Sequence, residues 1–335
     1  MTINKDEIKK ILCIKPRGIG DIILSTIVLE NLKNHFTSAS IDYMTEDFAM
    51  SSLLNNPMIN KVIEAKRKEF ILKTILKIRK EKYDLIIDLW SNPRTAQLTY
   101  FSKAKYRVGF AYQGRKYAYN ILATSERGDH HSAEHNLELL KPLEVPVISK
   151  KIHYYVSEDE RKFADNYFQN NFNSDEKIIG IIPAGGWSSK RCDALKWVEI
   201  CEAILKKFKV KFLILWGPGD EDDSYYIKEH LGNNAVTAPQ LPLRKMCALI
   251  DKCNMIIAND SGPMHISAAL GKNTLGIFGP TDPKKHGPYS PNSDYIVKED
   301  LFCITCNKLV CPYNHECMLE LSVEKVIDKI DKMLK

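Results

Sequence analysis

The chain lacks any apolar run near the roughly 20 residues a membrane-spanning helix needs. Met1 to Lys10 is polar and Lys-rich, and the apolar stretch behind it is only a strand long, so no secretory leader is expected. No Gly-Lys-Ser/Thr follows a glycine loop, which excludes a P-loop, and Gly18-Ile19-Gly20 lacks the third spaced glycine of a dinucleotide fingerprint. Low-complexity tracts and solenoid repeats are absent. Aromatic and basic residues are not interleaved as in single-strand nucleic-acid binders, so no nucleic-acid partner is expected. Charge of one sign is also in short supply. The net charge is only +6, with basic clusters at Lys66–Lys68, Lys77–Lys82 and Lys103–Arg107. Such clusters suit an anionic substrate, a negatively charged membrane face, or plain solvated helix surfaces.

What is present describes a globular α/β protein. At 335 residues, 44% hydrophobic and 27% charged, the chain is long enough for two domains with separate cores. Strand and helix patterns alternate twice. The first half reads as strand 12–15, helix 22–34, strand 41–44, helix 48–54, strand 61–64, helix 70–80, strand 85–88 and a helix over 133–140, closed by Pro142 and Pro146. After a connecting helix near 158–170 come strand 178–182, helix 195–207, strand 211–216, helix 222–231, helix 246–250, strand 256–258, a small-residue helix, strand 274–278 and a last helix over 323–334. This repetition predicts two doubly wound domains, 1–150 and 151–335, with a cleft between them.

Polar, glycine-bearing loops follow several of these strands. Pro16-Arg17-Gly18-Ile19-Gly20-Asp21 presents Asp21 at a strand's C-terminal end, as a cleft carboxylate or as a helix cap. In the second half, Pro183 to Arg191 offers the backbone of Gly185 and Gly186 and the Lys190 ammonium to phosphate charge. Gly217-Pro218-Gly219-Asp220-Glu221 supplies acids able to accept hydrogen bonds from a ribose or base. Its Asp-x-Asp reads as a helix start rather than a metal site. Asn259-Asp260-Ser261-Gly262-Pro263-Met264-His265 joins a strand end to a helix start, with Asp260 and Ser261 where an N-cap belongs. Capping alone does not call for His265, nor for Gly279-Pro280-Thr281-Asp282-Pro283 beyond the next strand.

Both ends of the chain resemble glycosyltransferase family 9, the ADP-heptose:lipopolysaccharide heptosyltransferases. The resemblance rests on Lys15–Ile22, Ser188-Ser189-Lys190-Arg191, Gly217-Pro218, Asp260–His265 and Gly279–Pro283, in that order. His131-Ser132-Ala133-Glu134-His135-Asn136 is similar to the family's H-x-x-E segment. Cys192 stands where the family often has Trp, and Gly185 and Gly186 stand where some members carry hydroxyl residues, so contacts there would be through backbone. The resemblance implies a GT-B architecture, two doubly wound Rossmann-like domains facing across a cleft, with acceptor bound by the first and ADP-sugar by the second. It implies an inverting transfer with Asp21 as general base and Lys190 stabilising the ADP leaving group. Gly185, Gly186, Ser189, Glu221, Asp260, Ser261, Gly262 and His265 would meet the donor. Arg67, Lys68, Arg94 and Arg115 are the candidate acceptor cations, facing an anionic lipopolysaccharide core. The protein is then expected in the cytoplasm, with peripheral contact at the inner membrane and no required cofactor.

Five of the nine cysteines (Cys13, Cys192, Cys201, Cys247 and Cys253) are scattered, as in a reduced protein. The other four, Cys303, Cys306, Cys311 and Cys317, cluster around His315 and are consistent with free thiols, a disulfide, Zn²⁺ or an iron–sulfur cluster. Three other functions fit the phosphate loops: a GT-B-like sugar-nucleotide hydrolase or epimerase, a family member using another donor, and a non-catalytic sugar-nucleotide binder.

Overall fold

The computed structural model describes residues 3–334, which fall into two compact units divided between Tyr155 and Val156. Each unit is built on one six-stranded, wholly parallel sheet. The first contains β1 (Lys10–Ile14), β2 (Ser40–Thr45), β3 (Lys61–Glu64), β4 (Leu85–Asp88), β5 (Tyr106–Phe110) and β6 (Ile121–Ala123), in the order β3-β2-β1-β4-β5-β6. The second contains β7 (Lys177–Ile182), β8 (Val210–Ile214), β9 (Ala235–Thr237), β10 (Met255–Asn259), β11 (Asn273–Phe278) and β12 (Ser293–Val297), in the order β12-β11-β10-β7-β8-β9. Both orders are that of the doubly wound nucleotide fold.

The central strands carry near-continuous apolar sequence because helices cover both faces of a parallel sheet. Every residue of β4 and β10 is buried, as are Ile11–Ile14 of β1 and Ile178–Ile182 of β7. Chain order reverses between β1 and β4 in one sheet and between β7 and β10 in the other. The strand ends at these two switch points are where such folds place ligands.

The structure departs from sequence expectation in several places. The helix expected over 22–34 is two helices, Ile19–Ser25 and Ile27–His35, joined at Thr26. Ser25 and Thr26 turn their hydroxyls back onto the carbonyls of Ile22 and Ile23, at 2.7 and 2.6 Å, and so compete with the helix ladder. Thr26 Oγ1 also accepts the His153 amide at 2.7 Å. Helix Pro93–Phe101 was not anticipated; it starts from a capping box between Asn92 and Thr95 with Pro93 in its first turn. The helix expected over 48–54 is one turn, Asp47–Met50, followed by a 3₁₀ turn at Ser51–Leu53. Strands β5, β6, β9 and β12 add to the expected set, and of these β6, β9 and β12 lie at sheet edges.

Candidate functional site

In the second unit the loops after β7 and β10 meet at the switch point. The Asn259 side-chain amide donates to the Pro183 carbonyl at 2.6 Å, tying the two strand ends together. Lys190 then reaches Asp260, with Nζ 2.7 Å from Oδ2, and the Thr281 hydroxyl donates to that same oxygen at 2.6 Å. The Asp260 side chain is 6% exposed and that of Lys190 16%, so the ion pair is largely shielded from water. The Lys190 ammonium also stands 4.2 Å from the centre of the Trp187 ring. Asp260 therefore does not cap the next helix. The N-cap of helix Gly262–Ala269 is Ser261, in extended conformation and with no side-chain capping bond. Its hydroxyl oxygen is buried without a hydrogen-bond partner. Gly262 opens the helix, and His265 lies buried one turn in.

Arg191 holds the same loop to the turn after β8. Its guanidinium pairs with Asp220 at 2.8 Å and donates to the carbonyls of Gly185 at 3.0 Å and Gly219 at 3.4 Å. Burial pushes the Asp220 carboxyl above the usual carboxylate range, while Arg191 opposes that shift. Asp220 precedes helix Glu221–Leu231, and Glu221 begins it with an exposed side chain. Gly185 is buried because Arg191 packs against it: a Cβ there would stand 3.0 Å from Arg191 Cγ, whereas the space at Gly186 is open.

Ser189 takes a different position from the one expected of a donor contact. Its hydroxyl donates to the Lys308 carbonyl at 2.6 Å and its amide to the Leu309 carbonyl at 3.3 Å. Both groups are committed to the cysteine-rich segment, in which Cys303, Cys306, Cys311 and Cys317 are half-buried. Cys13, Cys192, Cys201, Cys247 and Cys253 are all buried, and burial pushes the thiols of Cys13, Cys192 and Cys253 up to about 12. Such thiols are unreactive core residues.

The first unit presents a second polar group at its own switch point. Gly18 adopts φ 76°, and any side chain there would collide with the Asp21 carboxylate folded back over it. Asp21 is the third residue of helix Ile19–Ser25 and is exposed, while Gly18 is the N-cap. Behind it lies Lys15, the first residue of the Lys15–Ile22 motif, for which the sequence alone suggests no role. Lys15 is buried, donates to the Leu89 carbonyl at 3.1 Å and lies 4.7 Å from the centre of the Trp90 ring. Burial pulls its pKa down, and the charges of Asp21 and Asp88 oppose that fall. Asp88, at the end of β4, accepts the Tyr119 hydroxyl at 2.8 Å and the Ser91 amide at 2.8 Å.

His135 is stacked on Phe110, ring centres 4.4 Å apart, and neither ring nitrogen has a hydrogen-bond partner. Burial, reinforced by Arg127, pulls its pKa down to about 4. As pH falls from about 6.5 to about 4, the unfolded chain binds a proton that the folded one refuses, so stability falls across that window. Urea titrations at pH 7 and pH 5 are expected to show a smaller difference in His135→Phe than in the parent. Equal differences would contradict the buried neutral imidazole.

Of the four cations expected to face an acceptor, three come together. Arg94 donates to the carbonyls of Lys66 at 3.2 Å and Glu69 at 2.9 Å, fixing the turn on which exposed Arg67 and Lys68 stand. Arg115 lies apart, on the turn after β5, with its guanidinium 5.3 Å from the Tyr112 ring centre. Among the described residues no helix is long and apolar enough to cross a membrane.

Comparison with known proteins bears on the family and the fold. The family model for glycosyltransferase family 9 (heptosyltransferase) matches residues 71–316. Lipooligosaccharide heptosyltransferase 2 of Campylobacter jejuni is 26% identical over 97% of this chain and 99% of its own length. Among solved structures, a family 9 glycosyl transferase from Veillonella parvula superposes with a TM-score of 0.87 at 22% identity, covering 99% of both chains. The Escherichia coli heptosyltransferase WaaC, solved with ADP-2-deoxy-2-fluoro heptose, gives 0.72 at 17% identity over 96% of this chain and 99% of that one. The fold class is GT-B, and the chain belongs to glycosyltransferase family 9 and is a glycosyltransferase.

Proposed function

We propose that this enzyme transfers a heptose from ADP-heptose to the inner core of lipopolysaccharide by a single inverting displacement. The observation that carries the proposal is the shielded Lys190–Asp260 pair beside the unpartnered Ser261 hydroxyl, at the start of helix Gly262–Ala269. A helix N-terminus with free N–H groups favours a diphosphate. The Lys190 ammonium has three protons, so one can stay on Asp260 while others meet phosphate oxygens. As the sugar–phosphate bond breaks, charge gathers on ADP and these donors stabilise it without reorganising. Gly185, Gly186 and Gly262 contribute backbone, Glu221 and His265 further polar contacts, and Ser189 positions Lys190 from behind.

Asp21 takes the proton from the attacking acceptor hydroxyl. Arg67 and Lys68, on the turn that Arg94 braces, meet the anionic core, with Arg115 as a further cation. No resident cofactor is needed for this transfer. Named heptosyltransferases among the relatives and the ADP-sugar ligand of a solved relative support the donor and acceptor. The basic clusters support work at the cytoplasmic face of the inner membrane.

Mass analysis of a deacylated core acceptor incubated with enzyme and ADP-L-glycero-D-manno-heptose tests the reading. A gain of one heptose per acceptor is expected, and NMR of the new linkage should show inversion at the anomeric carbon. An unmodified acceptor with free heptose released would make the enzyme a hydrolase. An unmodified acceptor with intact donor would point to another nucleotide sugar.

A further inference from the structure

Residues 298–315 contain neither helix nor strand, and between Ile296 and Met318 no residue is buried. Phe302, Leu309, Val310 and Tyr313 are exposed, and Thr305, Asn307 and His315 take positive φ. A structureless segment of this length is uncommon in a compact domain unless it has a task or something holds it. Apolar burial does not hold this one.

Its side chains do converge. Cys303, Cys306, Cys311 and Cys317 line one small cavity, with Ser189 and Gly279 at its wall. The room inside is about 10 Å³, about that of a single water-sized sphere. That is room for one ion. Ligand softness points the same way, since a set of four thiolates selects zinc-like thiophilic metals over hard cations. The spacings, two residues between Cys303 and Cys306 and four between Cys306 and Cys311, lie within those of structural zinc sites. His315 is not free to join: its Nε2 donates to the Ser189 carbonyl at 2.7 Å. Among the described residues no three ligand side chains already stand in a metal-holding array, so the sulfurs must close inward.

We propose that these four cysteines, as thiolates, bind a single thiophilic divalent cation of the zinc class, releasing their protons to solvent. The ion clamps residues 298–317 onto the two loops that carry Lys190 and Thr281. The clamp's reach is visible in the backbone. Ser189 is held by Lys308, Leu309 and His315, while the amides of Thr305 and Asn307 donate to the carbonyls of Gly279 at 3.2 Å and Pro280 at 2.7 Å. Cys317 approaches Gly279 so closely that a Cβ there would stand 2.7 Å from its sulfur. The ion is structural and touches no reactant.

The test is elemental analysis of the full chain, purified without chelators or immobilised-metal steps. About one equivalent of zinc or iron per chain is expected, as in a closed tetrahedral site, with at least a tenfold loss in Cys303→Ser/Cys306→Ser. Cobalt exchange should give thiolate-to-cobalt charge-transfer bands and intense visible absorption. Hydrogen exchange on the parent protein before and after chelation should quicken at 188–190 and 298–317. A parent chain free of metal after anaerobic reconstitution with reductant and Zn²⁺ would overturn the proposal. So would disulfides among these cysteines that persist under the same conditions. Metal content does not depend on the sugar transferred, so this result and that of the acceptor assay are independent.

Discussion

Replacing Asp21 by asparagine is expected to lower kcat by about 10²–10⁴-fold, the usual contribution of a positioned general base, while donor binding stays as in the parent. The change is nearly isosteric, so the collision space over Gly18 is unaltered and only the ability to take a proton is lost. Asp21 is exposed and the chain around it is fixed by Gly18 and by the buried face of helix Ile19–Ser25. An exposed substitution of this kind changes stability by only about 0.5 kcal/mol or less, so a fall in turnover with unchanged melting would be chemical. Near-parental kcat would remove Asp21 as the base and send the search to the other polar groups of the first unit.

The second large effect is expected at Lys190. Lys190→Met removes the cation proposed for the leaving group and should lower kcat by about 10²–10³-fold, as loss of one preorganised electrostatic donor does elsewhere. It also strands Asp260, 6% exposed, without its partner. Breaking a buried pair from one side costs about 3–5 kcal/mol, and partial exposure of Lys190 places this case toward the low end. Asp260→Asn in the same chain removes the stranded charge, and the Thr281 hydroxyl can still donate to the amide oxygen. The double variant should therefore regain most of the thermal stability but none of the turnover. Recovery of both together would mean that Lys190 only props the loop. Loss of ADP affinity in calorimetry should accompany the loss of turnover.

Much of the fold was legible because the central strands are buried on both faces. Runs such as Ile11–Ile14 and Ile178–Ile182 leave no polar alternative, and helices Ile19–Ser25 and Ala194–Lys207 come next after them among the α-helices. Three of the four edge strands gave no such signal. Ile121–Ala123 and Ala235–Thr237 are three residues long, and Ser293–Val297 mixes polar and apolar side chains as an edge position allows. Helix Pro93–Phe101 has little amphipathic period and is recognised by its cap instead. The break at Thr26 depends on hydroxyls competing with the ladder, which periodicity does not register.

The site was legible as loops and not as pairings. Gly18, Asp21, Lys190, Asp260 and Ser261 stand in local motifs that chain order alone exposes. The partners of those residues do not. Lys190 meets Asp260 seventy residues on (260 − 190), and Asp88 meets Tyr119 across a strand and a helix. Arg191 was in view beside Lys190, but its three-way hold on Asp220, Gly185 and Gly219 follows only from the sheet that brings β7 beside β8. Ser189 was expected to face a donor on the strength of the family motif Ser188-Ser189-Lys190-Arg191. The cysteine-rich segment that claims it has no periodicity from which its docking could be read.

The most direct test of the central claim is ADP release from ADP-L-glycero-D-manno-heptose, measured with and without a deacylated lipopolysaccharide core, for the parent and for Asp21→Asn side by side. The account predicts release that requires the acceptor and falls by at least a hundredfold in the variant, about the lower bound for loss of a base. Release that ignores the acceptor, or that survives in Asp21→Asn, would contradict it.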